Sequence, residues 1–431
     1  VGRALRRAGL AFDIVERHCD VGGIWDIDNP GSPMYASAHF ISSSGVSHFH
    51  GAPMPADYPD YPDHRRILAY IRAFASAEGL YRHVQTSSTV TRARRVETGW
   101  LVSVRSGGET HTRHYSHLVC ATGTTWSPKS PSWASQDEAG IVQHASTYRH
   151  PSSLRGKRVL VVGAGNSGCD IACDAARNAT TAHISMRRGY HFVPKHLFGM
   201  PADVFSQRSA WLPMWLRRRL FEWVLRMQHG DLTRLGLPAP DHRVLESHPI
   251  LNDQLLHHLR HGDIAVVPDV RRLDGHTVHF ADGSQRDYDL VLCATGYRTA
   301  TPHLEPGTLP ESGGRPDLFL NIFAADDPTL MATGFLESNS GLFKLFDLAA
   351  HVIAQAAAAG PAEAHRLRGA LRGPRPDLSG GVRYVASERH ANYVNIDAYR
   401  HALHRFIADM GWPEWPMPTS APVPRLAQRP T

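Results

Sequence analysis

Val159-Leu160-Val161-Val162-Gly163-Ala164-Gly165-Asn166-Ser167-Gly168-Cys169-Asp170-Ile171-Ala172 is the stretch that decides the fold. A continuous apolar run suits a parallel strand buried on both faces. Behind it, Gly163, Gly165 and Gly168 serve a tight turn, close backbone approach to a pyrophosphate and tight helix packing. The next helix would turn its N-terminus, with Asn166 and Ser167, toward the phosphates. This is a dinucleotide fingerprint set between a strand and a helix. An NAD site places Asp or Glu about 20 residues further on, yet the following strand ends Ile184-Ser185-Met186-Arg187-Arg188. Two guanidiniums favour a 2′-phosphate, so Arg187 and Arg188 predict NADPH.

The first residues read as the second half of another βαβ unit. Val1, Ala4, Leu5 and Ala8 follow helical spacing, Gly9 can close that helix, and Ala11-Phe12-Asp13-Ile14-Val15-Glu16 reads as a strand ending in an acid. Counting back about 20 residues from Glu16 places the matching glycine loop before residue 1. The expectation is a chain truncated at its N-terminus, with Glu16 in the ribose-binding role; alone, Glu16 would be an ordinary surface acid.

The organisation repeats. Trp100-Leu101-Val102-Ser103-Val104 and the Gly107-Gly108 turn predict a small antiparallel excursion before Leu118-Val119-Cys120-Ala121-Thr122-Gly123; Val278-His279-Phe280 and Asp282-Gly283 do the same before Leu290-Val291-Leu292-Cys293-Ala294-Thr295-Gly296. The echoed Cys-Ala-Thr-Gly marks two related nucleotide-binding units, with junctions near Ser152–Gly156 and Tyr297–Thr301. The fold class is α/β, with two Rossmann-like domains.

Composition narrows the function classes. No 18-residue apolar run occurs: Leu342–Ala359 is interrupted by Lys344, Asp347, His351 and Gln355, so no membrane span is predicted. Five scattered cysteines imply no disulfide framework and fit a reducing cytoplasm. The net charge of +6 is scattered and carried mostly by Arg, without the aromatic interleaving of nucleic-acid modules. Trp211–Met227, where Arg217-Arg218-Arg219 sits among Trp215, Leu216, Leu220, Phe221 and Trp223, reads as an amphipathic helix. Its plainer reading is packing on its own domain; contact with a membrane or cover for a substrate channel is the alternative. Cys169 and Cys173 read as small core residues. The pairs His257-His258 and His48 with His50 lack partners at ligand spacing, and no metal site is expected.

Taken together, the chain resembles the flavin-containing monooxygenases, FAD- and NADPH-dependent class B flavoproteins, over essentially its whole length. Gly140, His144 and Tyr148 keep the spacing of the family's F-x-G-x-x-x-H-x-x-x-Y/F signature ahead of Gly163, with Glu138 where the family has Phe. Asp289 and Ala294-Thr295-Gly296-Tyr297 match D-x-x-x-x-A-T-G-Y. Baeyer-Villiger relatives usually carry Trp at the position of Tyr148.

The resemblance implies a discontinuous FAD-binding domain (1–151, lacking its first strand and glycine loop, and 298–411), an inserted NADP-binding domain (152–297) and a proline-rich tail (412–431). It implies FAD contacts from Glu16, from Gly22, Gly23 and Trp25 (the G-G-x-W element), from Thr122, Gly123, Thr295 and Gly296, and from Asn339 at the opening of the last helical run. Gly22-Gly23 as a plain turn and Trp25 as a core aromatic are the bland readings. The family's Y-x-S-x-x-x-N-S-S aligns on Tyr35, Ser37, Ile41, Ser42 and Ser43, so Ile41 stands where the family has an Asn at the oxygen-bearing flavin edge. His39, Ser42 or Ser43 would have to replace that hydrogen bond. The implied reaction is NADPH-dependent oxygenation of an amine nitrogen or sulfide by a C4a-hydroperoxyflavin, with Ile41, His39, Ser42 and His144 at the catalytic positions and a small-molecule substrate and O2 as partners. His144 as an interdomain residue with no chemical role is the plain alternative. A homodimer is compatible. A Baeyer-Villiger monooxygenase acting on a ketone and a non-catalytic NADP(H)-binding relative are the alternatives.

Overall fold

A computed structural model describes residues 1–208, 213–387 and 390–415. Arg158–Val162 is the central strand of a five-stranded, all-parallel sheet in the order Ile264–Val267, Thr181–Ser185, Arg158–Val162, Leu290–Cys293, Val142–His144. Its apolar run has a direct cause: Val159 and Val161 enter one core and Leu160 and Val162 the other. On the first face lie Ile171, Ala172 and Ala175 of the helix Asn166–Asn178 and Leu255, Leu256 and Leu259 of Gln254–His261. The second face is covered by Trp133 and by an antiparallel sheet that supplies Val270, Leu273, Val278 and Phe280. The unit is therefore layered asymmetrically, with its helices on one side.

The expected domain boundary at 151 and 152 cuts this unit, because Val142–His144 is its edge strand, with Val142 opposite Val291 and His144 opposite Cys293. A three-residue edge strand that is partly exposed along its length leaves no apolar run to read.

The other unit is built from short pieces. Ile14–Val15 pairs in parallel with Val84–Gln85, and Leu118–Cys120 with Asp327–Ala332. Ile14–Val15 and Leu118–Cys120 are each the outer strand of a separate sheet, while Val15 and Leu118 pack on one core with Trp100, Leu330 and Phe335. The strand expected over 11–16 is thus only two residues long: Val84–Gln85 is its one partner, and a strand extends only as far as its ladder. The antiparallel excursion is present as Ser88–Val96, Gly99–Ser106 and Glu109–Tyr115.

The helix Phe343–Ala358 is buried nearly all round, packed by Gly2–Arg7 and Ile396–Asp409. The tail expected from 412 needs a correction. Trp412 and Trp415 belong to this core and His351 bonds the carbonyl of Pro413 at 2.7 Å, so the chain is still packed through 415; residues 416–431 lie outside the described residues. Two large aromatics outweigh neighbouring prolines, because burying one aromatic is worth about 1.5–3 kcal/mol.

The glycine loop is sterically enforced. A Cβ at Gly168 would lie 2.0 Å from the carbonyl oxygen of Gly163, and one at Gly163, where φ is +100°, 2.7 Å from that of Ala294. Gly168→Ala should lower stability by about 2 kcal/mol or more, as backbone must move to admit it. Gly369→Ala, within the helix Pro361–Leu371 and with open space around it, should instead stabilise by up to about 1 kcal/mol. Urea unfolding of both variants checks the contrast.

Candidate active site

A cleft of about 1920 Å³ runs along the ends of the strands, from Glu16 and Trp126 past Trp25 and Ile41 to Ser185, Arg187 and Arg188. Single small-molecule pockets span about 300–1,000 Å³, so this one has room for more than one ligand. It opens between the loops after Arg158–Val162 and Leu290–Cys293, where the strand order reverses; crevices at such points are where open α/β sheets bind nucleotides.

At one end, Val162 to Ser167 line the cleft and Gly165 begins the helix Asn166–Asn178 with no side chain capping it. Free N–H groups of this kind suit a pyrophosphate. The Asn166 side chain is committed elsewhere: its Oδ1 accepts from Leu251 N at 2.9 Å, stapling the loop 249–251 to the helix. Arg187 is exposed, whereas Arg188 lies over Tyr190 at 5.2 Å and has a buried Nε without a partner among the described residues. An orphaned guanidinium N–H beside open volume fits a phosphate. Arg271 lines the same end; it stands in a short antiparallel strand with no motif to mark it in the sequence.

The glycine-loop helix carries two carboxylates that meet the other unit, the buried Asp174 and the half-buried Asp170, which also lines the cleft. Tyr35 Oη–H donates to Asp170 Oδ2 at 2.9 Å, and Asn252 Nδ2 donates to Asp170 Oδ1 at 2.6 Å. Ser37 Oγ–H (2.5 Å) and Tyr148 Oη–H (2.9 Å) both donate to Asp174 Oδ2. The loop from Met34 to Ser44 is thereby laid along the helix, and Ile41, His39 and Ser42 face the cleft. Burial raises the Asp170 carboxyl above its ordinary value, against the bond from Tyr35, which lowers it.

His144 lines the cleft with both ring nitrogens engaged. Its Nδ1 accepts from Ser146 N at 3.1 Å, which leaves the proton on Nε2 to be donated to the Gly296 carbonyl at 3.0 Å. Burial also lowers its pKa, favouring this neutral form. With both ring nitrogens engaged, His144 is a strut between the edge strand and the Ala294-Thr295-Gly296-Tyr297 turn. The Thr295 hydroxyl is likewise spent on the Lys129 carbonyl at 2.5 Å, and Gly296, at φ +85°, supplies the turn.

Toward the other end, Glu16 follows Ile14–Val15 and lines the cleft, its Oε1 accepting from His18 N at 2.8 Å. Beside it Arg17 lies over Trp126 at 4.8 Å, and the buried Trp126 Nε1–H has no partner among the described residues. Neither was singled out from the sequence; a basic residue next to the strand-ending acid was the available signal. Gly23, Trp25, Thr122 and Gly123 line the cleft. Gly22 does not, and with φ +136° it makes the turn that leads into Gly23–Trp25. Trp25 meets Phe40 edge-on at 5.2 Å, and Phe40 meets Phe343 at 5.6 Å, walling the region of Ile41 with aromatics. His39 Nδ1–H donates to the Ser37 carbonyl at 2.9 Å. Asp203, missed in the sequence, reaches this loop from the nucleotide unit and accepts from Ser43 N at 2.7 Å.

Asn339 lines the cleft as expected of a site residue, but the helical run opens later, at Phe343, and the Asn339 Oδ1 accepts from Ile396 N at 3.0 Å, securing the last helix. The cysteines are all free, and burial raises the thiols of Cys169 and Cys173, consistent with packing. Among the described residues no three potential ligands converge on a metal site.

A cleft with room for more than one ligand, carrying a glycine loop at one end and an aromatic wall around Ile41, suits a dinucleotide-dependent oxidoreductase. The chain matches the flavin-binding monooxygenase-like family over residues 5–360 and belongs to that family, with FAD and NADPH as its cofactors. It is 30% identical over 363 residues to the N-oxide-forming dimethylaniline monooxygenase 2 of Rattus norvegicus, covering 79% of this chain and 68% of that protein. Among solved structures, S-allyl-L-cysteine S-oxygenase from Allium sativum superposes with TM-score 0.65 at 19% identity, over 96% of this chain and 86% of that one. Cyclohexanone monooxygenase superposes with TM-score 0.66 at 15% identity, over 94% of each chain. These two likenesses concern the fold.

The Asp170 environment makes a pH prediction. A carboxyl whose folded-state pKa exceeds its unfolded value of about 3.9 contributes stability that is fully present below that value and lost as pH rises through the folded pKa. Asp170→Asn should therefore gain on the parent protein as pH rises above about 4, whatever constant offset the altered hydrogen bonds impose. Urea unfolding of both proteins across the acid range checks this; a parent that gains on the variant with rising pH contradicts it.

Proposed function

We propose that this protein uses NADPH and O2 to oxygenate a soft nucleophile, an amine nitrogen or a sulfide sulfur. The reading rests on family membership and on one observation: the Gly163–Gly168 loop with Arg187 and Arg188 opens into the same cleft as Ile41, Trp25 and Thr122. The dimethylaniline and S-allyl-cysteine oxygenases it resembles act, by their names, at nitrogen and sulfur. FAD, when bound, accepts hydride from NADPH and activates O2, so the hard chemistry belongs to the cofactor.

The chain's own residues bind, orient and exclude water. The uncapped helix at Gly165 takes the NADPH pyrophosphate, and Arg187 and Arg188 take the 2′-phosphate. Glu16 takes the adenosine ribose of FAD, with Arg17 and Trp126 beside it. Trp25, Phe40 and Phe343 keep the region around Ile41 dry, which strengthens every polar contact left there. Ile41 offers no hydrogen bond, so His39 Nε2 or the Ser42 hydroxyl supplies whatever polarity that edge has.

The reaction is tested on FAD-loaded protein with NADPH, heavy-isotope O2 and either a tertiary amine or a thioether. Label in the N-oxide or sulfoxide is expected. Label in an ester formed from a ketone would establish Baeyer-Villiger chemistry instead, and absence of NADPH consumption would leave a non-catalytic nucleotide-binding protein.

Cofactor choice gives a second test. Removing the Arg187 and Arg188 guanidiniums by substitution with Ala should raise KM for NADPH about 10–100-fold, the worth of charge-assisted bonds of about 1.5–3 kcal/mol, while leaving use of NADH nearly unchanged. Equal losses with both cofactors would dissociate these arginines from the 2′-phosphate.

Ile41 gives the third. Ile41→Asn restores one hydrogen bond of about 1 kcal/mol and should lower H2O2 released per NADPH consumed about fivefold. An unmodified protein already fully coupled would assign the role to His39 or Ser42.

A further inference from the structure

The most exposed apolar surface lies away from the cleft, on the helix Met214–His229. Its inner face is settled: Val224 and Leu225 pack with Val193, Leu197 and Val244, and Arg218 pairs with Glu246 at 3.1 Å, which fixes the helix's rotation. At 3.6 residues per turn, Trp215, Leu216, Leu220, Trp223 and Met227 then share one outward arc. Trp215, Trp223 and Met227 are 63%, 60% and 70% exposed. Phe198, 74% exposed, stands at the turn between His196–Leu197 and Met200–Pro201, whose Leu197 belongs to the same small core.

Leaving two tryptophans in water is costly unless something covers them. The same arc carries Arg219 and Arg226, both exposed and with no ion pair among the described residues, and it carries no acid. The helix's one carboxylate, Glu222, accepts from Val244 N on the inner side. A two-fold copy seated on this face would set Arg219 and Arg226 against their own images, and the nearby acid Asp231, beside Arg226, offsets only part of that charge. An anionic surface does neutralise them, and Trp with Arg at the edge of an apolar stripe is the composition suited to a bilayer interface, where rings sit at headgroup level and arginines reach phosphates. No described helix is long and apolar enough to cross a membrane, so this one would lie in the interface plane.

We infer that Met214–His229 binds the surface of anionic phospholipid bilayers, through Trp215, Trp223 and Met227 in the acyl boundary and Arg219 and Arg226 at the phosphates. The inference is independent of the reaction proposed above.

The full chain is tested by co-sedimentation with vesicles of phosphatidylcholine containing phosphatidylglycerol, against vesicles of phosphatidylcholine alone, at low salt. Binding is expected on the anionic vesicles, with a blue shift of tryptophan emission. Arg219→Glu with Arg226→Glu should weaken it about 30-fold or more, at roughly tenfold or less per charge removed, and Trp215→Ser with Trp223→Ser about tenfold or more. Circular dichroism should be unchanged in both double variants, since all four side chains are exposed. Absence of binding to anionic vesicles, binding indifferent to these substitutions, or a dimer in sedimentation that dissociates in the tryptophan variant would each overturn the inference.

Discussion

Two carboxylates on one helix, the half-buried Asp170 and the buried Asp174, hold the active region together. They belong to the helix whose N-terminus lines the cleft at the glycine loop, and they receive hydroxyls from Tyr35, Ser37 and Tyr148 in the opposing unit and its connection. A buried carboxylate stripped of its donors costs several kcal/mol, so the loop bearing Ile41 has one register along that helix. The glycine loop and the loop bearing Ile41 are thereby fixed to each other through a single helix, so any ligand held at its N-terminus would be linked to the docking of the two units.

That coupling explains why side chains near the site are spent on structure. His144 joins the edge strand to the Gly296 turn, Thr295 joins that turn to Lys129, and Asn166 and Asn339 each secure a backbone N–H of another segment. Facing the cleft are the glycine loop, the aromatics Trp25, Phe40 and Phe343, the arginines Arg187 and Arg188, and polar side chains such as Glu16, His39 and Ser42. Such a site is suited to holding a reactive cofactor in place and dry, and leaves acid–base duty to few groups.

The sequence was legible where physics acts locally. The run Val159–Val162 is apolar because successive residues enter different cores, and Gly163 and Gly168 are glycines because a Cβ would strike backbone, so strand, loop and helix could be read directly. Arg187 and Arg188 follow the strand Thr181–Ser185 and line the cleft, the placement that the spacing implies. Contacts made across the chain were not. Val142–His144 joins the sheet through one partner strand, Asp203 arrives from an excursion of the other unit, Arg17 matters because Trp126 lies under it, and Trp412 and Trp415 fold back onto a distant helix. Asn339 and His144 show the converse: residues of the right type at the right spacing whose polar atoms tertiary structure has already claimed.

The central claim, that one continuous cleft holds both nucleotides with Ile41 near their meeting point, is tested most directly by solving the structure with FAD and NADP+ bound. The account predicts the NADP+ pyrophosphate at the N–H groups after Gly165, its 2′-phosphate against Arg187 and Arg188, and the flavin ring between Trp25 and Ile41. An NADP+ lying elsewhere, with Arg187 and Arg188 still facing water, or a flavin ring remote from Ile41, would contradict it.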